Sequence, residues 1–395
     1  MTIQQSATLL INSLAQEKSQ KGEIVYNCSA GEPKLPISNI IIESVSNFVY
    51  NNNIFYPPSA GDSKLRQEVT KWLNVNYATS FDWTQCAVTV GAKQGLYLLL
   101  QYLIQYYFQA MNSRPAVMIA KPFWVSYRDI VKIFDADISY IETSEDSGWK
   151  MTVDDLANAY HDNCKLLILN NGCNPSGCIY SQQELVNILD FAKQHKLYVI
   201  SDEVYSGLVY DNNIYTSCGS FSDYQDIVCV LQSCSKSFAM TGWRVGFIFA
   251  QTEIIETIIA LLGQNITGVS MINQHAAYIA IQNSTAIIKD IKQQMVLRRD
   301  AMLSAFAIHF PDLIIKKPSS ALYLFLSLYK LGVKTNMSDN DFCLQFLEQE
   351  NVATVPGTAF GVPNYIRLSF TATIAEINIA IEKLAKFIKK INNER

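Results

Sequence analysis

Apolar runs long enough to cross a bilayer are missing from this chain. Stretches such as Leu96–Leu100 and Ala276–Ile281 stop well short of the roughly 18 residues a membrane helix needs, so no membrane partner is expected. Charge is scarce and nearly balanced, 17% of 395 residues with 31 Lys+Arg against 35 Asp+Glu. The only basic cluster near the C-terminus is the Lys389-Lys390 pair, which leaves no footprint for nucleic acid. Histidine is rare: His161, His195, His275 and His309 are scattered, and Cys173 and Cys178 enclose a proline, a pattern that argues against a structural zinc site, so no metal is expected. The nine cysteines are an odd number. The stretch from Met1 to Lys18 has no basic residue before its short apolar segment Ala7–Ile11, so it is not expected to be a signal peptide. Reduced, mostly buried thiols and a cytoplasmic location are expected.

What is abundant is core-forming material, 49% hydrophobic residues, in a length that suits two substructures. Short β-branched segments recur at 86–90, 116–120, 138–141, 166–170, 197–201, 227–231 and 245–250. Helix-period stretches at 93–109, 125–134, 154–160 and 182–195 separate several of them. This alternation predicts an α/β fold whose large domain, residues 43–285, holds a mostly parallel seven-stranded sheet covered by helices on both faces. Beyond about residue 252 the pattern turns helical, with a long amphipathic stretch at 286–308 that connects two domains. Segments at 321–327, 339–349, 353–355, 365–370 and 374–391 follow, and with the chain before residue 42 they predict a smaller α+β domain, 1–42 plus 286–395. Ligands of such sheets bind at the carboxyl ends of the strands.

Several of those strand ends carry residues suited to a flat, phosphorylated, aromatic ligand. Lys236 follows the run Ile227–Leu231, where poor solvation lowers an amine's pKa and supplies the neutral form that Schiff-base chemistry needs. Ser233 and Ser235 offer hydroxyls nearby, and Arg244, eight residues after Lys236, offers a planar fork for a phosphate. Gly91-Ala92-Lys93-Gln94 opens a helix after a strand, an arrangement whose free backbone N–H groups attract anions. Trp124 stands just past another strand, ready to stack on a ring. Asn174 sits in a polar turn as an amide donor. Asp202 ends a largely apolar strand, where a carboxylate is costly without a partner such as a protonated ring nitrogen, and Tyr205 is in position to bond a phenolic oxygen of the same ring.

Taken together these residues resemble the class I/II aminotransferases of the fold type I pyridoxal-phosphate family, most nearly the branch that includes bacterial aspartate aminotransferases. Matching stretches run from Ser29-Ala30-Gly31-Glu32-Pro33 to Tyr365-Ile366-Arg367-Leu368, and include Val355-Pro356-Gly357-Thr358-Ala359-Phe360-Gly361. The resemblance implies pyridoxal 5'-phosphate as cofactor, attached to Lys236, which also shuttles the proton. Asp202 would pair with the ring nitrogen, Tyr205 and Asn174 would contact the phenolic oxygen, and Trp124 would stack on the ring. The phosphate would be held by Ser233, Arg244, the Ala92-Lys93 turn, and Tyr56 of a second subunit, which implies a homodimer. Arg367 would grip the substrate α-carboxylate beside the Gly31 backbone, with Trp124 and Asn174 close to the substrate. The implied reaction moves the amino group of an L-amino acid, with aspartate the leading donor, to a 2-oxo acid such as 2-oxoglutarate. The alternatives are a lyase reaction with the same cofactor, or a broad or aromatic amino-acid aminotransferase. Two departures stand out. Gly172 replaces a proline common in the family, which is expected to loosen its turn, and Gln264-Asn265-Ile266-Thr267-Gly268 replaces a Ser/Thr-rich stretch.

Overall fold

The computed structural model describes residues 7–108, 113–334 and 336–393. In chain order its strands are β1 (Tyr26–Asn27), β2 (Cys86–Thr89), β3 (Ala116–Ala120), β4 (Asp137–Ile141), β5 (Cys164–Asn170), β6 (Tyr198–Asp202), β7 (Val228–Ser233), β8 (Gly246–Phe249), β9 (Tyr323–Ser327), β10 (Val352–Ala353), β11 (Val355–Pro356) and β12 (Tyr365–Ser369). The large sheet has seven strands in the order β2-β8-β7-β6-β5-β3-β4. All its pairings are parallel except the two made by β8. Strands β2, β7 and β8 are buried along their whole length, which is why they read as continuous apolar runs without alternation. Helices cover both faces, and two separate apolar clusters fill the space on either side.

The topology fixes where a ligand can sit. From β3 the chain moves outward to the edge strand β4, and β5 then joins on the other side of β3, so the order reverses between β3 and β5. The loop that follows β3 carries Trp124. The neighbouring strands β5, β6 and β7 end in Asn170, Asp202 and Ser233, and Asn170 is directly in register with Asp202.

Several boundaries differ from the sequence expectation, for identifiable reasons. Strand β7 continues past Leu231 through Gln232 and Ser233, because antiparallel β8 supplies partners for both residues. Lys236 accordingly lies in a single helical turn, Cys234–Ser237, rather than in a loop. Asp202 is the last residue of β6 instead of the first beyond it. The helix expected at 93–109 is an α-helix over Gly91–Leu100 followed by a π-helix over Gln101–Tyr107, and its expected end at Gln109 falls outside the described residues. The segment expected at 353–355 forms two strands with different partners, β10 against β1 and β11 against β12.

A second sheet, β11-β12-β9, is antiparallel. The 26-residue helix Ser284–His309 packs along the C-terminal helix Ile374–Asn393 beside it. Buried Arg299, in the middle of the long helix, forms a forked pair with Asp211, both contacts at 2.9 Å, and donates to the Pro318 carbonyl. It thereby ties the helix to the chain that follows β6. Among the described residues no helix is long and apolar enough to cross a membrane.

Candidate active site

A cavity of about 400 Å³ opens at the carboxyl ends of β5, β6 and β7. It brings together the sequence-predicted residues Gly31, Ala92, Lys93, Trp124, Asn174, Asp202, Tyr205, Ser233, Lys236, Arg244 and Arg367. Tyr56 does not line it; that side chain is 90% exposed, beside exposed Tyr50 and Phe55. The cavity also holds Ser235, named beside Ser233 in the sequence, and residues the sequence reading left out, chiefly Asn170, Tyr127 and Tyr323.

Its floor is built from β6 and β7. Asp202 is buried, and burial raises its carboxyl pKa while a hydrogen bond from Tyr127 lowers it. Tyr127 Oη donates to Oδ2 at 2.6 Å, and the Val204 N–H approaches Oδ1 at 3.4 Å. Across from it, Lys236 Nζ donates to the Gly31 carbonyl at 2.6 Å. Desolvation pushes this amine down to about 8, against the opposing pull of Glu32. A carboxylate and an amine are thus both held in poorly solvated positions, a combination typical of functional sites.

At one end the cavity is arranged for an anion. The helix Gly91–Leu100 starts there with no side chain capping it, so its first N–H groups and the positive end of its dipole are free. Arg244, in the left-handed region at φ 54°, reaches over to Gly91, where a Cβ would lie 2.7 Å from its guanidinium. Gly91 itself has φ +70°, so glycine is required on two counts. Ser233 Oγ contacts Ser235 Oγ at 2.9 Å and completes the rim with two hydroxyls.

At the other end Arg367 lies on β12, buried at 2% exposure. Its Nη1 donates to Asn174 Oδ1 at 2.9 Å and its Nη2 to the Ser29 carbonyl, yet its Nε has no partner. Arg367 lines the cavity, and a guanidinium has more N–H groups than these two bonds use, in a fork suited to a carboxylate. Asn174 is fixed through its own N–H, which donates to Asn170 Oδ1 at 2.9 Å, while Asn170 Nδ2 donates to the Asp202 carbonyl at 2.9 Å. Gly172 does not loosen this turn. It takes φ +84°, closed to proline, and its N–H bonds the Cys178 carbonyl at 3.1 Å, a bond proline cannot make.

A tryptophan in the lining, a buried carboxylate, a desolvated lysine and an anion cradle fit a protonated aromatic ring bearing a phosphate and an aldehyde. The fold and this donor set define a fold type I pyridoxal-phosphate enzyme. The family described as aminotransferase class I and II matches residues 24–384, and the chain belongs to it. An aspartate aminotransferase of Bacillus subtilis is 28% identical over 98% of this chain and 96% of its own length. An asparagine–oxo-acid transaminase of Streptococcus mutans is 30% identical over 99% of this chain and 98% of its own. Among solved structures, aspartate aminotransferase from Thermus thermophilus with maleate superposes with a TM-score of 0.89 at 26% identity, covering 97% of each chain. The chain is a pyridoxal-phosphate-dependent aminotransferase.

Proposed function

We propose that this enzyme moves the amino group of an acidic L-amino acid, aspartate first among them, to a 2-oxo acid such as 2-oxoglutarate in a ping-pong cycle. The observation that carries the acidic preference is a surplus cation. Lys236, Arg244 and Arg367 have tasks toward the cofactor and the α-carboxylate, whereas Lys93 also lines the cavity, its Nζ 5.0 Å above the Trp124 ring, and is free to meet a second carboxylate. The relative named for aspartate supports the same class of donor; the one named for asparagine, whose side chain is a neutral amide, does not bear on the charge.

Bound pyridoxal phosphate supplies an electron sink for the pair left on the substrate α-carbon when its proton departs. Asp202 would hold a proton on the ring nitrogen through a charge pair that the low-dielectric floor strengthens. Tyr205 and Asn174 would donate to the phenolic oxygen, and Trp124 would stack on the ring. Ser233, Arg244 and the N–H groups of Ala92 and Lys93 would hold the phosphate. Arg367 would bind the α-carboxylate through its fork, with the Gly31 backbone alongside. Lys236 would attach the cofactor and serve as the general base, and then acid, for the α-proton, a task typically worth about 10²–10⁴ in rate.

A homodimer in the cytoplasm completes the proposal. Exposed Tyr50, Phe55 and Tyr56 form an apolar surface on and just after the helix Asn39–Asn51, and Tyr56 would reach the phosphate of a second subunit. Gly268 packs against the Pro58 carbonyl in the same region, so the 264–268 stretch lies by that surface rather than in its own chain's cavity. The free state of all nine cysteines suits a reducing compartment. We also propose the division into a large domain, 43–285, and a small one, 1–42 with 286–395, supported by the start of the long connecting helix at Ser284. A panel of amino acids added to the holoenzyme, followed by loss of its visible absorption, ranks the donors. Acidic donors should lead, and a preference for neutral or aromatic donors would overturn the assignment.

A further inference from the structure

We propose that Tyr323 is a positioning residue for this reaction: it donates its hydroxyl proton to Tyr205 and so links the carboxylate-binding Arg367 to the bond Tyr205 makes with the cofactor. The inference rests on the role proposed above for Tyr205. The two hydroxyls are 2.8 Å apart and both buried, and either one is able to donate. A phenol has one proton. When Tyr205 gives its proton to the phenolic oxygen, none remains for Tyr323, so Tyr323 must be the donor in the pair. Its surroundings favour that direction. The Arg367 guanidinium lies 4.3 Å above the Tyr323 ring, where its positive charge draws electron density from the phenol and makes the O–H a better donor. Burial raises the pKa of both hydroxyls, that of Tyr205 well above its ordinary value, and Arg367 pulls both back down. Gly31 leaves the room required, since a Cβ there would lie 2.1 Å from Tyr323 Oη.

The result is a relay from Arg367 through Tyr323 and Tyr205 to the phenolic oxygen, in which each bond polarises the next. With pyridoxal phosphate bound, the relay would strengthen the bond that Tyr205 gives its phenolic oxygen. A carboxylate on Arg367 would offset the guanidinium charge and weaken that bond.

The test is a pH titration of the visible absorption of the holoenzyme, with and without succinate, a dicarboxylate lacking an amine. Tyr205→Phe should raise the midpoint by about 1 or more, the scale of one hydrogen bond to a charged oxygen. Tyr323→Phe should raise it by about 0.1–0.3, as expected when one bond is strengthened by roughly 10–30% by the next, and should shrink the further rise caused by succinate. The double variant should match Tyr205→Phe alone. A normal midpoint and a full succinate response in Tyr323→Phe, or additive effects in the double variant, would overturn the relay while leaving Tyr205 in its role. A normal midpoint in Tyr205→Phe would instead remove the reading on which it rests. Arg367→Lys withdraws the guanidinium from the Tyr323 ring and also from Asn174, so it is measured in both backgrounds: the succinate-free midpoint should rise less where Tyr323→Phe is already present, and an equal rise in both, or none, counts against the link.

Discussion

Replacing Arg367 by lysine keeps the positive charge and removes the fork, so it separates geometry from charge. The wild-type guanidinium has five N–H donors; Asn174 Oδ1 at 2.9 Å and the Ser29 carbonyl occupy two of them, and Nε is unpartnered. A substrate carboxylate would take two of the remaining N–H groups, charge-assisted bonds side by side. Lysine offers a point charge on a flexible stem, loses one of those bonds and leaves Asn174 Oδ1 without its donor. A hydrogen bond to a charged group contributes roughly 1.5–3 kcal/mol, so a loss of about 2 kcal/mol should weaken apparent affinity for an α-amino acid by about 30-fold. The assay is the half-reaction followed by absorbance, with an amine lacking an α-carboxylate as control. The control makes no carboxylate bond and should lose far less. Unchanged affinity for amino acids, or an equal loss for the control amine, would refute the assignment of Arg367.

Two further predictions concern the lysines. Lys93→Met should lower kcat/KM for dicarboxylic donors by about 10–100-fold, the value of one charge-assisted contact, and leave monocarboxylic donors nearly unaffected. Equal losses for both would show that Lys93 serves the cofactor alone. In cofactor-free protein the Lys236 pKa of about 8 lies below that of an ordinary lysine. The neutral amine therefore dominates above pH 8, and the rate of cofactor attachment should rise about tenfold per pH unit below 8 and then level off. A rate still climbing toward pH 10 would mean the amine is not desolvated. The same depression makes folding of the cofactor-free protein less favourable below pH 8, and this cost should fall as pH rises from about 8 to 10.4.

Residues at strand ends were legible in the sequence because the pattern that predicts a buried parallel strand also marks where it stops. Lys236, Asp202, Trp124 and Asn174 were located that way, and Arg367 through the resemblance of its surrounding motif. Two of the missed residues, Tyr127 and Tyr323, are aromatics whose role depends on contacts between distant segments. Tyr127 lies in the first turn of the helix Ser126–Ile133, where it reads as core, and it meets Asp202 across 75 positions. Tyr323 alternates along a buried strand, and its contact with Tyr205 spans 118 positions. No local periodicity encodes such a meeting. A related blind spot hid the second face of Lys93: its backbone position at a helix start was visible, whereas the direction of its side chain over Trp124 depends on the loop after β3.

Two lysines in the cavity, Lys236 and Lys93, are chemically able to capture an aldehyde, and the whole account requires that only the first does so. Borohydride reduction of the holoenzyme followed by peptide mapping should place a single phosphopyridoxyl group on Lys236, and Lys236→Ala should yield a folded protein that takes up no label and does not turn over. Label on Lys93 or another side chain, or sustained transamination by Lys236→Ala, would contradict it.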